Sequence, residues 1–199
     1  VTIPEEVTQI DNKTAIKVTA IAADAFKDNK NIKKVIFSSD KLVTINAAFG
    51  GCTALTTVDF TAATGVTTLA EGAFAKAPIT KLDLSKTKIT NVEALLGTDL
   101  NADPKKDVVN TSLTEVNLPA TWTNIKTLAF ANWTSLATVT FAKASAATQA
   151  IATKAFAYCP ITALDFTDTK VAAIPAELLY VAGTTRPEKN ESLTSVTLT

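Results

Sequence analysis

The sequence contains no histidine and no methionine, and only two of its 199 residues are cysteine. Without histidine there can be no Ser-His-Asp triad, and both the commonest metal ligand and the usual base for a cysteine nucleophile are missing. No apolar stretch reaches 18 residues, so no segment is predicted to span a membrane. Because methionine is absent and Val1 comes first, we expect a mature or trimmed segment, with any export signal outside it.

A surplus of charge of either sign is also missing. The 19 lysines and arginines balance 19 aspartates and glutamates, and no basic run exceeds two residues. A nucleic acid or an anionic membrane surface requires a concentrated positive field, so we expect neither as a partner. No motif predicts a cofactor, while the 47% of hydrophobic residues is ample for a continuous core.

The sequence does contain an internal repeat. Its pattern is an apolar residue, two mostly polar residues, an aliphatic residue, a variable residue, and then Phe or Leu. Four of the six spacings between successive copies are 23 to 25 residues, and the other two are 34 and 32 residues. The copies are Ile32–Phe37, Leu55–Phe60, Ile79–Leu84, Leu113–Leu118, Leu136–Phe141, Ile161–Phe166 and Leu193–Leu198.

Two further apolar columns keep the same register. One lies five or six residues before most copies, at Phe26, Phe49, Phe74, Phe130 and Phe156, with Leu96 and Leu179 in the two longer repeats. The other comes four or five residues earlier still, at Ile21, Ile45, Leu69, Val92, Ile125, Ile151 and Ile174. A fixed period of this length is the signature of a stacked repeat architecture.

The repeat predicts a solenoid of about seven units that forms one domain over residues 1–199. The end of each copy alternates with period two, which predicts one short strand per repeat, stacked in parallel on the next. The Ala-rich connections around the Phe column predict irregular segments or a short helical turn. Residues 97–112 and 181–192 are predicted to be loop insertions, and Glu5 to Ala15 a turn or partial cap.

The segment AFGGCTALTTVDF, followed by VTTLAEGAF, resembles the BspA-type leucine-rich repeats of bacterial and protozoan surface proteins. The resemblance extends over nearly the whole chain. It implies an α/β-type right-handed leucine-rich-repeat solenoid with its parallel strands on a concave face. It also implies an exported protein at the cell surface, used in adhesion or host contact.

The outward positions of the predicted strands are the candidate binding face. They are small and polar, with mixed charge and no aromatic anchor, which is typical of a weak or avidity-based binder. We therefore expect a non-enzymatic module that binds a protein or a glycan; the alternative is a structural spacer that displays another domain. The candidate face comprises Lys34, Asp59, Lys81, Asp83, Glu115, Asn117 and Asp165.

The two cysteines occupy the same position in repeats that are four apart. At roughly 4.8 Å per repeat, Cys52 and Cys159 lie about 19 Å from each other, whereas a disulfide requires Cα atoms within about 7 Å. We therefore expect two free, buried thiols.

Two further groups of residues could have either a chemical role or a purely structural one. Asp59 and Asp83 hold the same column in adjacent repeats, so they are either paired carboxylates of a glycosidase or part of a solvated polar face. Four oxygen donors in the first insertion resemble the start of a calcium loop, but Pro104 and Asn110 break the pattern, which favours a surface loop. These donors are Asp99, Asn101, Asp103 and Asp107.

Exposed aromatic side chains could serve as sugar-stacking platforms. The register places Trp122 and Trp133 in apolar columns, so we expect both mainly in the core. Tyr158 and Tyr180 are better candidates for exposed aromatic side chains, because the Tyr158 column otherwise holds polar residues or glycine.

Overall fold

The computed structural model describes residues 1–4, 6–8, 15–95, 111–143, 148–179 and 192–198, and these residues contain strands but no helix. The strands are β1 (Thr2–Ile3), β2 (Glu6–Thr8), β3 (Ala15–Lys17), β4 (Ala20–Ile21), β5 (Lys34–Phe37), β6 (Thr44–Ile45), β7 (Thr57–Asp59), β8 (Thr68–Leu69), β9 (Lys81–Asp83), β10 (Asn91–Val92), β11 (Glu115–Leu118), β12 (Asn124–Ile125), β13 (Thr138–Phe141), β14 (Ala150–Ile151), β15 (Ala163–Asp165) and β16 (Ser195–Thr197).

The strands predicted from the repeat stack in parallel, one in each turn of the chain, and each such turn is called a layer below. They form the ladders β1–β5–β7, β9–β11–β13 and β15–β16. The register follows the sequence repeat, since Val35 pairs with Val58, and Val116 pairs with both Leu82 and Val139. The predicted leucine-rich-repeat solenoid, with one parallel strand from each copy of the pattern, is confirmed.

A second parallel ladder goes beyond the prediction of one strand per repeat. It consists of two-residue strands in the orders β4–β6–β8 and β10–β12–β14. Each contributes one apolar residue to the core, as shown by Ile45, which pairs with Ile21 and Leu69. Because one apolar residue cannot establish an alternation, the sequence pattern gives no sign of these strands.

The connections around the Phe column are irregular turns rather than short helices. Beside Phe130, both Leu128 (φ 62°) and Asn132 (φ 63°) adopt left-handed backbone angles, which an α-helix does not accommodate. The N–H groups instead reach the next layer: Phe130 donates to the Ala155 carbonyl (2.8 Å) and Asn132 to the Ala157 carbonyl (2.9 Å). Left-handed residues flank Phe26, Phe74 and Phe156 in the same way.

The side chains of the Phe column stack on one another through the core. Phe49 is fully buried and its ring stacks on those of Phe26 (5.0 Å between centroids) and Phe74 (5.6 Å). Phe130 and Phe156 repeat the arrangement at 5.0 Å. Burying each ring contributes on the order of 1.5–3 kcal/mol, and only a neighbouring layer can provide that burial.

Threonine hydroxyls join neighbouring layers where the chain enters the long strands. Thr114 donates its hydroxyl hydrogen to the carbonyl of Thr80 (3.2 Å), and Thr194 donates to that of Thr162 (3.0 Å). These residues share the second position of the repeated pattern. The high threonine content of the chain therefore has a structural role in addition to any surface role.

The two ends of the described solenoid differ. Within the segment from Glu5 to Ala15, expected to form a turn or partial cap, Glu6–Thr8 pairs antiparallel with Ala15–Lys17. In the last layer, core-column residues have one neighbouring layer and are exposed: Ile174 by 43%, Val196 by 47% and Leu198 by 64%. Of the predicted insertions, residues 97–110 and 181–191 lie outside the described residues.

Candidate binding site on the strand face

The outward side chains of the long strands form one surface, called the strand face below. All seven candidate residues lie on it, at outward positions of five strands: Lys34 on β5, Asp59 on β7, Lys81 and Asp83 on β9, Glu115 and Asn117 on β11, and Asp165 on β15. Their side chains are exposed or half-buried, because the alternating residues of each strand supply the core.

The centre of the strand face is a network of four side chains from two adjacent strands. Lys81 and Glu115 are register partners, and their Nζ and Oε1 atoms lie 2.7 Å apart. Asn117 donates its side-chain N–H to the same Glu115 oxygen (3.1 Å) and lies beside its register partner Asp83, whose carboxyl pKa it helps to lower. The hydrogen bond to Glu115 raises the pKa of Lys81. This network fixes the side chains and neutralises part of the charge.

The remaining candidates lie at either side of this network. The Nζ atom of Lys34 is 4.0 Å from Oδ2 of Asp59 on the neighbouring strand. Asp165 lies two strands beyond β11, outside the network. The structure thus groups Lys81, Asp83, Glu115 and Asn117 closely and leaves the others as neighbours along the same face.

Each aspartate of the strand face ends its strand by the same local device. An Oδ1 atom accepts the backbone N–H two residues later, at 3.0 Å for Asp59, 3.0 Å for Asp83 and 2.9 Å for Asp165. This Asx turn occupies one oxygen of each carboxylate and turns the chain at the end of the strand.

The same hydrogen bonds keep the three carboxylates ionised. The pKa of Asp59 is lowered mainly by the Thr61 backbone N–H, and that of Asp165 by the hydroxyl and N–H of Thr167. Burial opposes the charge of Asp83, but hydrogen bonds from Ser85 and Asn117 outweigh it and lower its pKa. A glycosidase needs one carboxylic acid with a raised pKa. Asp59 and Asp83 therefore lack the property that the paired-carboxylate interpretation requires.

Both cysteines are free and buried, as predicted. The Cys52 thiol donates to the Phe26 carbonyl (3.1 Å), and the Cys159 thiol donates to the Phe130 carbonyl (2.9 Å), each in the preceding layer. Desolvation raises the pKa of Cys52 and raises that of Cys159 to about 12. These thiols are structural hydrogen-bond donors rather than nucleophiles.

The aromatic residues follow the predicted division in part. Trp122 and Trp133 are 1% and 3% exposed, so they belong to the core, as predicted. Tyr158 is half-buried, and Tyr180 lies outside the described residues. Trp122 and Trp133 are therefore unavailable as platforms for sugar stacking.

The candidate calcium ligands Asp99, Asn101, Asp103 and Asp107 lie outside the described residues. In the part of the chain that the structure describes, no group of three or more acidic or cysteine residues is arranged to hold a metal ion. The described residues likewise include no apolar helix long enough to cross a bilayer.

The sequence pattern missed two separations between strands of this face. β7 and β9, and likewise β13 and β15, are neighbours in the stack but are not paired in one sheet. A cavity of about 290 Å³ opens at the first separation and one of about 280 Å³ at the second. No residue type in the repeat signals these openings, because both sides keep the full apolar pattern.

Comparisons with known proteins agree with this architecture. A family model described as the BspA type leucine rich repeat region matches residues 19–95 and 106–197 in six copies. A search of curated proteins finds no match.

Two solved bacterial structures are also similar. A leucine rich cell surface protein from Faecalibacterium prausnitzii A2-165 superposes with a TM-score of 0.62 at 22% identity, over 98% of this chain and 46% of that one. A leucine-rich repeat protein from Bacteroides ovatus ATCC 8483 gives a TM-score of 0.45 at 16% identity, over 99% of this chain and 59% of that one. The chain thus spans roughly half the length of these proteins.

Proposed function

The chain belongs to the BspA-type leucine-rich repeat family, and we propose that it is a non-enzymatic interaction module that binds a protein or glycan at the cell surface. The observation that carries the proposal is the strand face. Five of the stacked layers present polar side chains on this one face, with the Lys81–Glu115 pair (2.7 Å) at its centre. A surface assembled from successive repeats is the usual binding surface of a solenoid.

The distribution of reactive groups supports binding rather than catalysis. Both thiols are buried with raised pKa values, and the shifted carboxyl pKa values on the strand face are all lowered. No acid, base or nucleophile with a pKa adjusted for catalysis therefore emerges among the described residues of this face.

Location at the cell surface is part of the proposal. It is supported by the family and by the Faecalibacterium protein, which is described as a cell surface protein. The partner that we propose is accordingly an extracellular protein or glycan. The described residues of the strand face include no aromatic or arginine anchor, so we expect weak single contacts that become effective when many copies are displayed together.

A binding assay with two charge-matched variants tests this function. Purified chain is applied to immobilised extracellular-matrix proteins and mucin glycans. The first variant replaces the network residues Lys81, Asp83, Glu115 and Asn117 with alanine. The control replaces Glu71, Glu93, Lys126 and Thr127, which carry the same set of charges outside the network and are exposed or half-exposed.

The proposal predicts that the network variant loses at least tenfold in binding while the control retains it. Both variants must first show an unchanged circular dichroism spectrum. Equal binding by the network variant, the control and the parent chain would remove the strand face from consideration.

A structural spacer is the second candidate. It is favoured by the mutual neutralisation of Lys81 and Glu115, which leaves little charge for a partner, and by the chain spanning 46% of its Faecalibacterium neighbour. The spacer role predicts no saturable binding to any immobilised surface. Saturable binding that depends on the network residues would refute it.

A further inference from the structure

The two strand separations interrupt the ladder of the strand face at the same position of the repeat, although at the entrance to the first one Thr80 still donates its N–H to the Thr56 carbonyl (3.3 Å). At the intact boundaries, Leu84 donates its N–H to the Asn117 carbonyl (2.9 Å) and Phe166 donates to the Thr197 carbonyl (3.0 Å). Phe60 and Phe141 hold the same position beside the separations, and among the described residues neither N–H has a counterpart bond to the next strand. Backbone groups that normally pair are therefore free for a ligand.

The separations also admit solvent to the core columns. Val58 and Val139, which precede the two openings, are 8% and 7% exposed, whereas Val35, Leu82 and Val116 in the same column are 0% exposed. We call the cavity between β7 and β9 the first cleft and that between β13 and β15 the second cleft. At 290 and 280 Å³, both are near the lower limit of small-ligand sites, about 300 Å³.

The charges of the two clefts restrict the ligand. The first cleft is lined by two carboxylates, Asp59 and Asp83, and two ammonium groups, including that of Lys81. The second is lined by Asp165 and Asp168 with no cation among its lining residues. An anionic ligand is repelled by the second cleft, and a cationic one gains nothing in the balanced first cleft. A ligand suited to both is uncharged.

The polar lining requires a ligand that both donates and accepts hydrogen bonds. Hydroxyl groups surround both clefts, from Thr57 and Ser85 in the first and from Thr140 and Thr167 in the second. The carboxylates accept hydrogen bonds, while the free backbone N–H groups donate them. Sugar hydroxyls can do both, whereas an extended peptide would need apolar or aromatic pockets for its side chains. The aromatic residues that line the clefts, Phe60 and Phe141, are only 2% and 9% exposed, so they offer little surface for such side chains.

The spacing of the clefts implies a polymer. The strands β9, β11 and β13 lie between the two openings, so at about 4.8 Å per layer the clefts are about 14 Å apart on the same face. We propose that the two clefts bind a single uncharged, linear polysaccharide chain laid along the solenoid axis. This inference rests on the proposed binding function and specifies its ligand class.

The test is an amide-resolved NMR titration of the full chain. The probes are uncharged hexasaccharides of glucose and mannose, their monosaccharides, an anionic hexasaccharide of galacturonic acid, and a decalysine peptide. We expect at least one uncharged hexasaccharide to shift the Ser85 and Thr167 amide signals together, with one dissociation constant at least tenfold below that of its monosaccharide. The Asp83→Asn and Asp165→Asn variants should each weaken binding about fivefold or more, while the Glu71→Gln control should not.

Several results would overturn the proposal. These are the absence of binding by every uncharged hexasaccharide, equal affinity for hexasaccharide and monosaccharide, or tighter binding of the galacturonic acid oligomer or the decalysine peptide. If no saccharide binds while a matrix protein still binds through the network residues, the polysaccharide inference is wrong and the proposed binding function is retained. If neither a saccharide nor a matrix protein binds, the polysaccharide inference and the proposed function are both wrong.

Discussion

Replacing Phe49 with alanine tests the stacked core most sharply, because the same column offers an internal comparison. Phe49 is fully buried between the rings of Phe26 and Phe74 and meets Phe37 edge-on at 6.0 Å. Removing a buried Phe costs about 3–5 kcal/mol, which includes lost ring contacts of about 0.5–1.5 kcal/mol each. Phe26 begins the column, is half-buried and stacks on a single ring, so Phe26→Ala should cost about half as much.

The assay is urea denaturation followed by circular dichroism and, separately, by the fluorescence of Trp122 and Trp133. With a urea m-value of about 3 kcal/mol/M, Phe49→Ala should lower the midpoint by about 1–2 M and Phe26→Ala by about half of that. The buried tryptophans lie several layers from Phe49, so coincident transitions by both probes would show that the layers unfold together. Equal costs for Phe26→Ala and Phe49→Ala would refute stacking as the source of core stability.

Three further outcomes follow from single contacts. A thiol reagent at pH 8 should modify Cys52 and Cys159 slowly in the folded chain, because burial raises both pKa values, and rapidly in urea. Gly65→Ala should destabilise the chain by about 1–3 kcal/mol in urea titrations, since a Cβ there would lie 1.9 Å from the Asp40 carbonyl oxygen. Asp83→Asn should reduce the loss of stability on acidification, as measured by thermal unfolding across the acid range.

The sign of the last effect follows from linkage. The pKa of Asp83 is lowered in the folded chain, so its contribution is present above the unfolded-state pKa of about 3.9 and is lost as the pH falls through the folded value. The charge-matched comparison is Glu71→Gln, which removes one carboxylate outside the network. An Asp83→Asn variant as acid-sensitive as the parent would contradict this assignment. Fast labelling of either folded thiol, or an unchanged urea midpoint for Gly65→Ala, would contradict the packing at those positions.

The long strands and the buried columns could be predicted because the repeat keeps strict register. The fixed spacing of the repeat predicts that Phe49 stacks over Phe74. The same register predicts that Trp122 and Trp133 lie in the core and that Cys52 and Cys159 are too far apart to form a disulfide. Each of these predictions is confirmed, because a stacked architecture converts a sequence period directly into spatial contact.

Features that depend on geometry between layers could not be predicted in this way. The left-handed residues include Leu128 and Lys154 as well as glycine, so residue type does not mark them. The strand separations beside Phe60 and Phe141 arise between copies that both match the pattern. For the candidate site, the sequence pattern identified the outward residues, but the ion pair that joins Lys81 to Glu115 emerges only from the pairing of β9 with β11.

Hydrogen–deuterium exchange of the chain, free and bound to a surface partner or glycan, tests most directly whether the strand face is the binding surface. If the strand face binds, added protection is expected in residues 57–61, 81–85, 115–118 and 163–167, with unchanged exchange in the turns at 22–28, 72–76 and 152–158. Protection concentrated in those turns, with none along the strands, would contradict it.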